Sequence, residues 1–191
     1  MELNGRRDSL PIGTPAGSLQ YYKLSFQHQQ YFPLGRSFTL MLNGEVGIGD
    51  GLSGKPLPFF KNFYAGGNSS VRGFQNGTLG PKDTYGDALG GDKRVVGNAE
   101  LFFPLPGLKD NQSLRMSAFV DAGATSGPSS DTGPYAGLYE KFSFGDLRYS
   151  AGVAVLWVSP LGPLKFSLAQ PLVKKDGDKT EVFQFTLGNV F

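Results

Sequence analysis

Residues 114–123 read Leu114-Arg115-Met116-Ser117-Ala118-Phe119-Val120-Asp121-Ala122-Gly123. Side chains alternate between the two faces of a β-strand, so the apolar residues at even positions share one face. Six further stretches alternate in the same way, at 21–32, 37–48, 93–103, 147–157, 164–168 and 183–191, and a weaker one lies between Asn4 and Ile12. The sequence has no helical periodicity over more than two turns. We therefore predict an all-β protein of about eight strands.

The connections between these stretches alternate in length. Short turns fall at 33–35, 104–111 and 159–163, and longer connections at 50–91 and 125–145, with a tight polar hairpin at 174–179. Short turns at one rim and long loops at the other are typical of outer-membrane barrels. We predict an antiparallel transmembrane β-barrel portion with one long loop between its third and fourth strands. A soluble β-sandwich, whose faces also alternate, is the alternative.

The alternation also assigns faces. The predicted lipid-facing side chains are Phe38, Leu40, Leu42, Leu114, Met116, Val120, Val153, Val155, Phe166 and Leu168. The predicted interior side chains are Asn43, Glu45, Glu100, Asp121 and Arg148. Aromatic residues cluster near the short turns and predict an interfacial girdle formed by Tyr31, Phe32, Phe102, Phe103, Trp157 and Phe191.

Composition excludes several classes of function. The 191 residues include 18 Lys and Arg against 16 Asp and Glu, and they form no basic run, so no nucleic-acid partner is predicted. Cysteine is absent and His28 is the single histidine, which excludes cysteine catalysis and a multi-histidine zinc site. The Gly-rich run at 49–54 is followed by Pro56 and Pro58, which prevent the helix that a dinucleotide site needs. We predict no enzyme activity, no metal and no cofactor.

The connection at residues 50–91 differs from an ordinary loop. Loops of about forty residues are usually functional or disordered, and the aromatic density of residues 58–67 argues that this one packs on the barrel interior. It also carries Arg72, whose guanidinium would need carboxylates inside a barrel. Glu100 and Asp121 are the inward candidates on the next two strands. A surface arginine without a partner is the alternative.

Several motifs together resemble the BamA-type outer-membrane assembly factors. Val71-Arg72-Gly73-Phe74 resembles the signature of that family's long loop, and Phe119-Val120-Asp121-Ala122-Gly123 resembles its F-x-D-x-G strand motif, which includes Phe119, Asp121 and Gly123. Residues 147–170 and 183–191 are similar as well. The resemblance covers essentially the whole chain.

The resemblance implies a sixteen-stranded barrel preceded by POTRA modules, of which residues 1–191 match only the C-terminal eight strands. It implies that the barrel folds and inserts other β-barrel proteins into the bacterial outer membrane, through a weak seam between its first and last strands and local thinning of the membrane. Arg72 would anchor the loop against Glu100 and Asp121. Gly188 would mark the bend of the final strand, which ends at Phe191.

The implied partners are outer-membrane lipid, nascent outer-membrane β-barrel proteins and assembly-machinery lipoproteins. Two strand edges would be open in the isolated chain, and unpaired backbone groups do not persist in hydrocarbon. Three outcomes follow: a tight eight-stranded barrel, a homodimer that pairs into sixteen strands, or an open sheet protected by detergent or neighbouring molecules. We favour the homodimer, because a narrow barrel would expel the loop that carries Arg72. Two alternatives within membrane proteins stay open: a translocation or secretion pore of the same superfamily, and a small eight-stranded structural barrel. The second is disfavoured because so narrow an interior is already filled by side chains.

Overall fold

The computed structural model describes residues 20–52, 57–105, 107, 113–127, 142–160 and 162–188. The weak strand predicted between Asn4 and Ile12 lies outside the described residues, as does Phe191. Across the part of the chain that is described, no helix has both the length and the apolar character needed to cross a membrane.

The described residues form an antiparallel β-structure. Its strands are β1 (Tyr21–Leu34), β2 (Phe38–Gly51), β3 (Gly73–Phe74), β4 (Lys93–Pro104), β5 (Leu114–Ser126), β6 (Arg148–Ser159), β7 (Gly162–Val173), β8 (Thr180–Glu181) and β9 (Phe183–Leu187). Two single-turn 3-10 helices cover Phe59–Lys61 and Phe144–Asp146. The all-β prediction is confirmed.

Seven strands form one sheet in the order β1-β2-β4-β5-β6-β7-β9, and β3 pairs with β8 in a separate small sheet. Neighbours in the large sheet are consecutive strands in the chain, apart from the long loop with β3 between β2 and β4 and the short strand β8 between β7 and β9. Among the described strands this loop follows the second long strand. The further strand that would make it the third lies outside the described residues.

The alternation of side chains follows the assigned faces. On β2, Leu42, Val46 and Ile48 are exposed, while Gly47 and Gly49, on either side of Ile48, are buried. On β4 and β5, Glu100 and Asp121 are buried, whereas Val120 next to Asp121 is 49% exposed. The sheet therefore has an outer apolar face and a face covered by the long loop, which we call the inner face.

The main hydrophobic core lies between the loop and the inner face. The loop contributes Ala65, Val71, Phe74 and Leu79, and the sheet contributes Val96. Small residues on the sheet make room for the loop: a Cβ added to Gly123 would lie 2.7 Å from Cγ2 of Val71. The loop thus packs on the inner face, but not through its aromatic run as a whole: Phe63 is buried, whereas Phe59, Phe60 and Tyr64 are exposed.

The predicted aromatic girdle is wrong at two positions. Phe102 is 8% exposed on the inner face, and it lines an inner cavity together with Tyr31. Consecutive residues of a strand point to opposite faces, so Tyr31 and Phe32 cannot both face lipid, nor can Phe102 and Phe103. Phe103 takes the outer face, where its ring centroid lies 6.3 Å from that of Phe38.

Candidate functional site

Arg72 binds two carboxylates from neighbouring strands. Its Nε and one terminal nitrogen donate to the two oxygens of Asp121 at 2.7 and 2.8 Å, and the other terminal nitrogen donates to Glu100 Oε2 at 2.8 Å. The three side chains are at most 4% exposed. The bidentate arrangement uses the planar fork of the guanidinium, which a lysine cannot reproduce.

Two further contacts fix the orientation of Arg72. Its guanidinium carbon lies 3.4 Å from the ring centroid of Phe119, so the planar cation stacks on an aromatic face. Its backbone N–H donates to Asp121 Oδ2 at 3.0 Å, so the same carboxylate binds both side chain and main chain. The structure therefore brings together Arg72, Glu100, Asp121 and Phe119.

Sequence reasoning missed the second cation of this cluster, which is Lys165 on β7. Its Nζ lies 2.9 Å from Glu100 Oε1, and the Ser117 hydroxyl donates to the same oxygen at 2.6 Å. On β7, Lys165 alternates with Leu164 and Phe166 and therefore faces the other side of the sheet. This alternation is the only feature of the sequence that could have indicated Lys165. With Lys165 included, two cations face two carboxylates, so the buried cluster has no net charge.

An amide on β4 connects the cluster to the loop backbone. Asn98 Nδ2 donates to Asp121 Oδ1 at 2.8 Å and to the carbonyl of Ser70 at 2.6 Å. Asn43 on β2 donates in turn to Asn98 Oδ1 at 2.9 Å. This polar row crosses three strands and meets the loop at Ser70, two residues before Arg72.

The loop is also attached to the C-terminal end of the described sheet. Gly73 and Phe74 form β3, which pairs with Glu181 and Thr180 of β8. Gln184 of β9 accepts from the Gly73 N–H at 3.3 Å and donates to the Phe74 carbonyl at 2.7 Å. Gly73 has φ +87°, a conformation that glycine adopts readily, and Ala169 leaves little room for a side chain at this position. All four residues of the Val71–Phe74 motif are buried.

A second ion cluster holds the outer part of the loop. Asp178, in the hairpin between β7 and β8, binds Arg148 through both oxygens at 3.0 and 3.3 Å and Lys82 of the loop at 3.0 Å. Burial alone would raise the pKa of Asp178, but hydrogen bonds from Arg148, the Lys175 backbone N–H and Lys82 hold this pKa below its usual value. Arg148 is interior as predicted, and its partner Asp178 had been interpreted only as part of a turn.

The position of Gly188 is described, although that of Phe191 is not. Gly188 has φ +98°, and its N–H still donates to the Pro163 carbonyl at 3.0 Å. The chain therefore leaves extended geometry directly after β9.

A polar cavity of about 420 Å³ lies beside the Arg72 cluster. Its walls include Arg94, which pairs with Glu45 at 3.0 Å, and the amides of Gln27, Asn43 and Asn68. No group of three or more His, Asp or Glu side chains within the described ranges is arranged to hold a metal ion. The arrangement is suited to holding a loop, because each charged group of the Arg72 cluster is bound to a fixed partner.

Comparison with known proteins identifies relatives over nearly the whole chain. Residues 5–191 match the model of the Omp85 superfamily domain. The chain is 49% identical to the outer membrane protein assembly factor BamA of Neisseria meningitidis over 94% of its own length and 25% of that protein. It is 31% identical to the mouse sorting and assembly machinery component 50 homolog, over 87% of the chain and 36% of that protein.

A solved structure has the same fold. The crystal structure of BamA from Haemophilus ducreyi lacking POTRA domains 1–3 superposes with a TM-score of 0.75 at 32% identity, and covers 90% of this chain and 35% of that one. The chain thus spans about a quarter to a third of the length of these three relatives.

Proposed function

The chain belongs to the Omp85 superfamily, and from this premise we propose that it forms part of a barrel that folds and inserts β-barrel proteins into the bacterial outer membrane. The observation that carries the proposal is 49% identity with an outer membrane protein assembly factor over 94% of the chain. The predicted location, integral in the outer membrane, is confirmed by the bacterial relatives. The names of these relatives describe assembly and no catalytic activity.

Residues 1–191 would correspond to the C-terminal eight strands of this barrel, with its first strands and POTRA modules outside them. The share of the relatives that the chain covers supports this division. Within this part, the Arg72 cluster would be a structural anchor. It holds the long loop against the inner face at a position where a mobile loop would otherwise leave buried charges unpaired.

Insertion would work through the weak edge at β9 and through local thinning of the membrane. β9 has five residues and pairs with β7 over Leu164–Leu168, whereas the other hairpin partners pair over ten or more positions. Gly188, the last described residue, has φ +98°, which is outside the extended geometry of a strand. A short paired edge can exchange one partner strand for another at modest cost.

Nascent outer-membrane β-barrel proteins would be the clients, and assembly-machinery lipoproteins the accessory partners. For the isolated chain we propose pairing of its open edges with a second copy, because β1 and β9 each have one neighbour among the described strands. Light scattering in detergent would measure this directly: a protein mass of one chain would exclude the homodimer.

A hybrid barrel tests the proposed function. In the hybrid, residues 5–191 replace the aligned segment of the Neisseria meningitidis relative, and the hybrid is expressed in cells depleted of that protein. We expect restored growth and restored levels of outer-membrane β-barrel proteins. A hybrid that is folded, shown by heat-dependent migration on a gel, but restores neither would contradict the proposal.

The same hybrid separates the alternative functions. A translocation or secretion pore of the superfamily would give steady ion conductance in planar bilayers without restoring the levels of other barrels. A small structural barrel would give neither activity. The 49% identity with an assembly factor over 94% of the chain favours the assembly function, because a pore of the superfamily would share the loop motif and agree less elsewhere.

A further inference from the structure

β9 has a backbone edge that no described strand occupies. Only β7 pairs with it among the described strands. On the side of β7, the Ala169 N–H donates to the Val182 carbonyl at 2.9 Å and the Gly188 N–H donates to the Pro163 carbonyl at 3.0 Å. These two bonds determine which backbone groups of β9 point toward its neighbour.

In an antiparallel pair, residues bonded to the neighbouring strand alternate with residues whose N–H and C=O groups point away. Positions 182 and 188 bond toward β7, and so, by alternation, do 184 and 186. The backbone groups that point to the open edge are those of Phe183, Phe185 and Leu187. They form a template of six donors and acceptors for an incoming strand.

The long loop covers the middle acceptor of this template. Asn68 Nδ2 donates to the Phe185 carbonyl at 3.1 Å. The Asn68 Oδ1 atom accepts from the Ser167 hydroxyl at 3.3 Å, which turns the NH₂ group of the amide toward Phe185. A side chain of the loop thus satisfies a carbonyl that strand pairing would otherwise use.

The turn that presents Asn68 is tightly built. Gly66 and Gly67 have φ values of +107° and +91°, and the Gly66 N–H donates to Ser70 Oγ at 2.7 Å. The Gly67 N–H donates to the Val71 carbonyl at 3.1 Å, which closes the turn directly before Arg72. Because Arg72 is fixed by two carboxylates, the position of Asn68 relative to β9 is fixed as well.

We propose that Asn68 is a positioning residue that caps the open edge of β9, and that the strand closing the barrel against β9 must displace it to pair at Phe185. Asn68 itself is exposed, so its amide can turn to water when a strand arrives. The cap therefore weakens closure of the barrel at β9 without preventing it. The identity of the displacing strand rests on the proposed function, whereas the cap itself rests on the contacts above.

Disulfide formation in the hybrid barrel tests this proposal. Leu187→Cys is combined, one position at a time, with cysteines along the barrel's first strand, and the rate of oxidation is measured. Asn68→Ala should raise the fastest of these rates about three- to fivefold, the effect of removing one competing hydrogen bond of ordinary strength. Asn68→Asp should do the same, because a carboxylate of equal size cannot donate to the Phe185 carbonyl. Ser69→Ala, in the same turn, should leave the rate unchanged.

A second cysteine pair distinguishes a cap from simple support of β9. Leu164 and Leu187 lie opposite each other on β7 and β9 at a position without mutual backbone bonds, where side chains approach closely. Oxidation of the Leu164→Cys, Leu187→Cys pair should be unaffected by Asn68→Ala. Slower oxidation of that pair would show that Asn68 merely supports β9 and would overturn the proposal. Two other results would overturn it as well: unchanged oxidation rates between Leu187→Cys and the cysteines of the first strand, or an Asn68→Asp variant that behaves as wild type. Restoration of client levels by the hybrid is a separate readout, so the two proposals can fail independently.

Discussion

Replacement of Arg72 by alanine should release the long loop from the inner face. Asp121 is fully buried and would keep only the Asn98 amide and the backbone N–H of residue 72 as partners. Removing one partner of a buried ion pair costs about 3–5 kcal/mol, because the remaining charge is left uncompensated. The open state of the loop would then be populated about a hundredfold to a few thousandfold more often.

Limited proteolysis measures this opening. Trypsin is unsuitable because the substitution removes one of its sites, so we would use chymotrypsin on the hybrid barrel in vesicles. Phe63 and Phe74 are 5% and 0% exposed and are cleaved only when the loop opens. When opening and reclosing are fast, the cleavage rate follows the population of the open state. Equal cleavage rates at these two residues in wild type and Arg72→Ala would refute the anchor.

A second substitution shows which carboxylate carries the cost. Glu100 retains Lys165 and Ser117 after loss of the arginine, whereas Asp121 loses its only cationic partner. Adding Asp121→Asn to Arg72→Ala should therefore recover more of the protection than adding Glu100→Gln. The opposite order would contradict the charge distribution described above.

Three further predictions concern the faces, the packing and the pH dependence. Leu42→Arg should destabilise the barrel in lipid by about 2–4 kcal/mol relative to Leu42→Ala, measured by urea unfolding, and equal stabilities would show that position 42 does not face lipid. Gly123→Ala should lower the free energy of unfolding by about 1–3 kcal/mol in the same assay, because the new methyl group meets Val71 at 2.7 Å. Gly97→Ala is the control, because its Cβ would have its nearest neighbour at 4.0 Å. The fold lowers the pKa of Asp178. Its ion pairs therefore stabilise the outer part of the loop at pH values above the ordinary pKa of an unfolded carboxyl group. This stabilisation is lost as the pH falls through the lowered pKa. Hydrogen exchange in residues 80–90 should accelerate below about pH 4, and Asp178→Asn should remove this acid step; an unchanged step would assign it to another group.

Much of the architecture was predictable because β-sheets with one apolar face impose strict alternation. The alternation located all seven long strands and placed Glu100, Asp121 and Arg148 on the inner face. Arg72 could be connected with the two carboxylates because a charged residue in an aromatic, inward-packing loop needs partners. Strand pairs as short as β3 and β8 were not predictable, since two residues carry no periodicity.

The remaining partners depend on strand stagger and on contacts distant in sequence. Lys165 meets Glu100 across 65 positions, and Lys82 meets Asp178 across 96. Alternation assigns such residues to a face, but it does not determine which inward residues lie at the same height. The girdle prediction failed at Tyr31 and Phe102 for a simpler reason. Both residues were assigned to the girdle because they lie close to the rim, without regard to the alternation that assigns each residue to a face.

The most direct test of the central claim is the rate at which a client barrel folds into vesicles containing the hybrid. The measurement compares wild-type residues 5–191, the Arg72→Ala variant and empty vesicles of the same lipid composition. We expect the wild-type hybrid to accelerate client folding and Arg72→Ala, although inserted in the membrane, to lose most of this acceleration. A correctly folded wild-type hybrid with which the client folds no faster than in empty vesicles would contradict the proposed function.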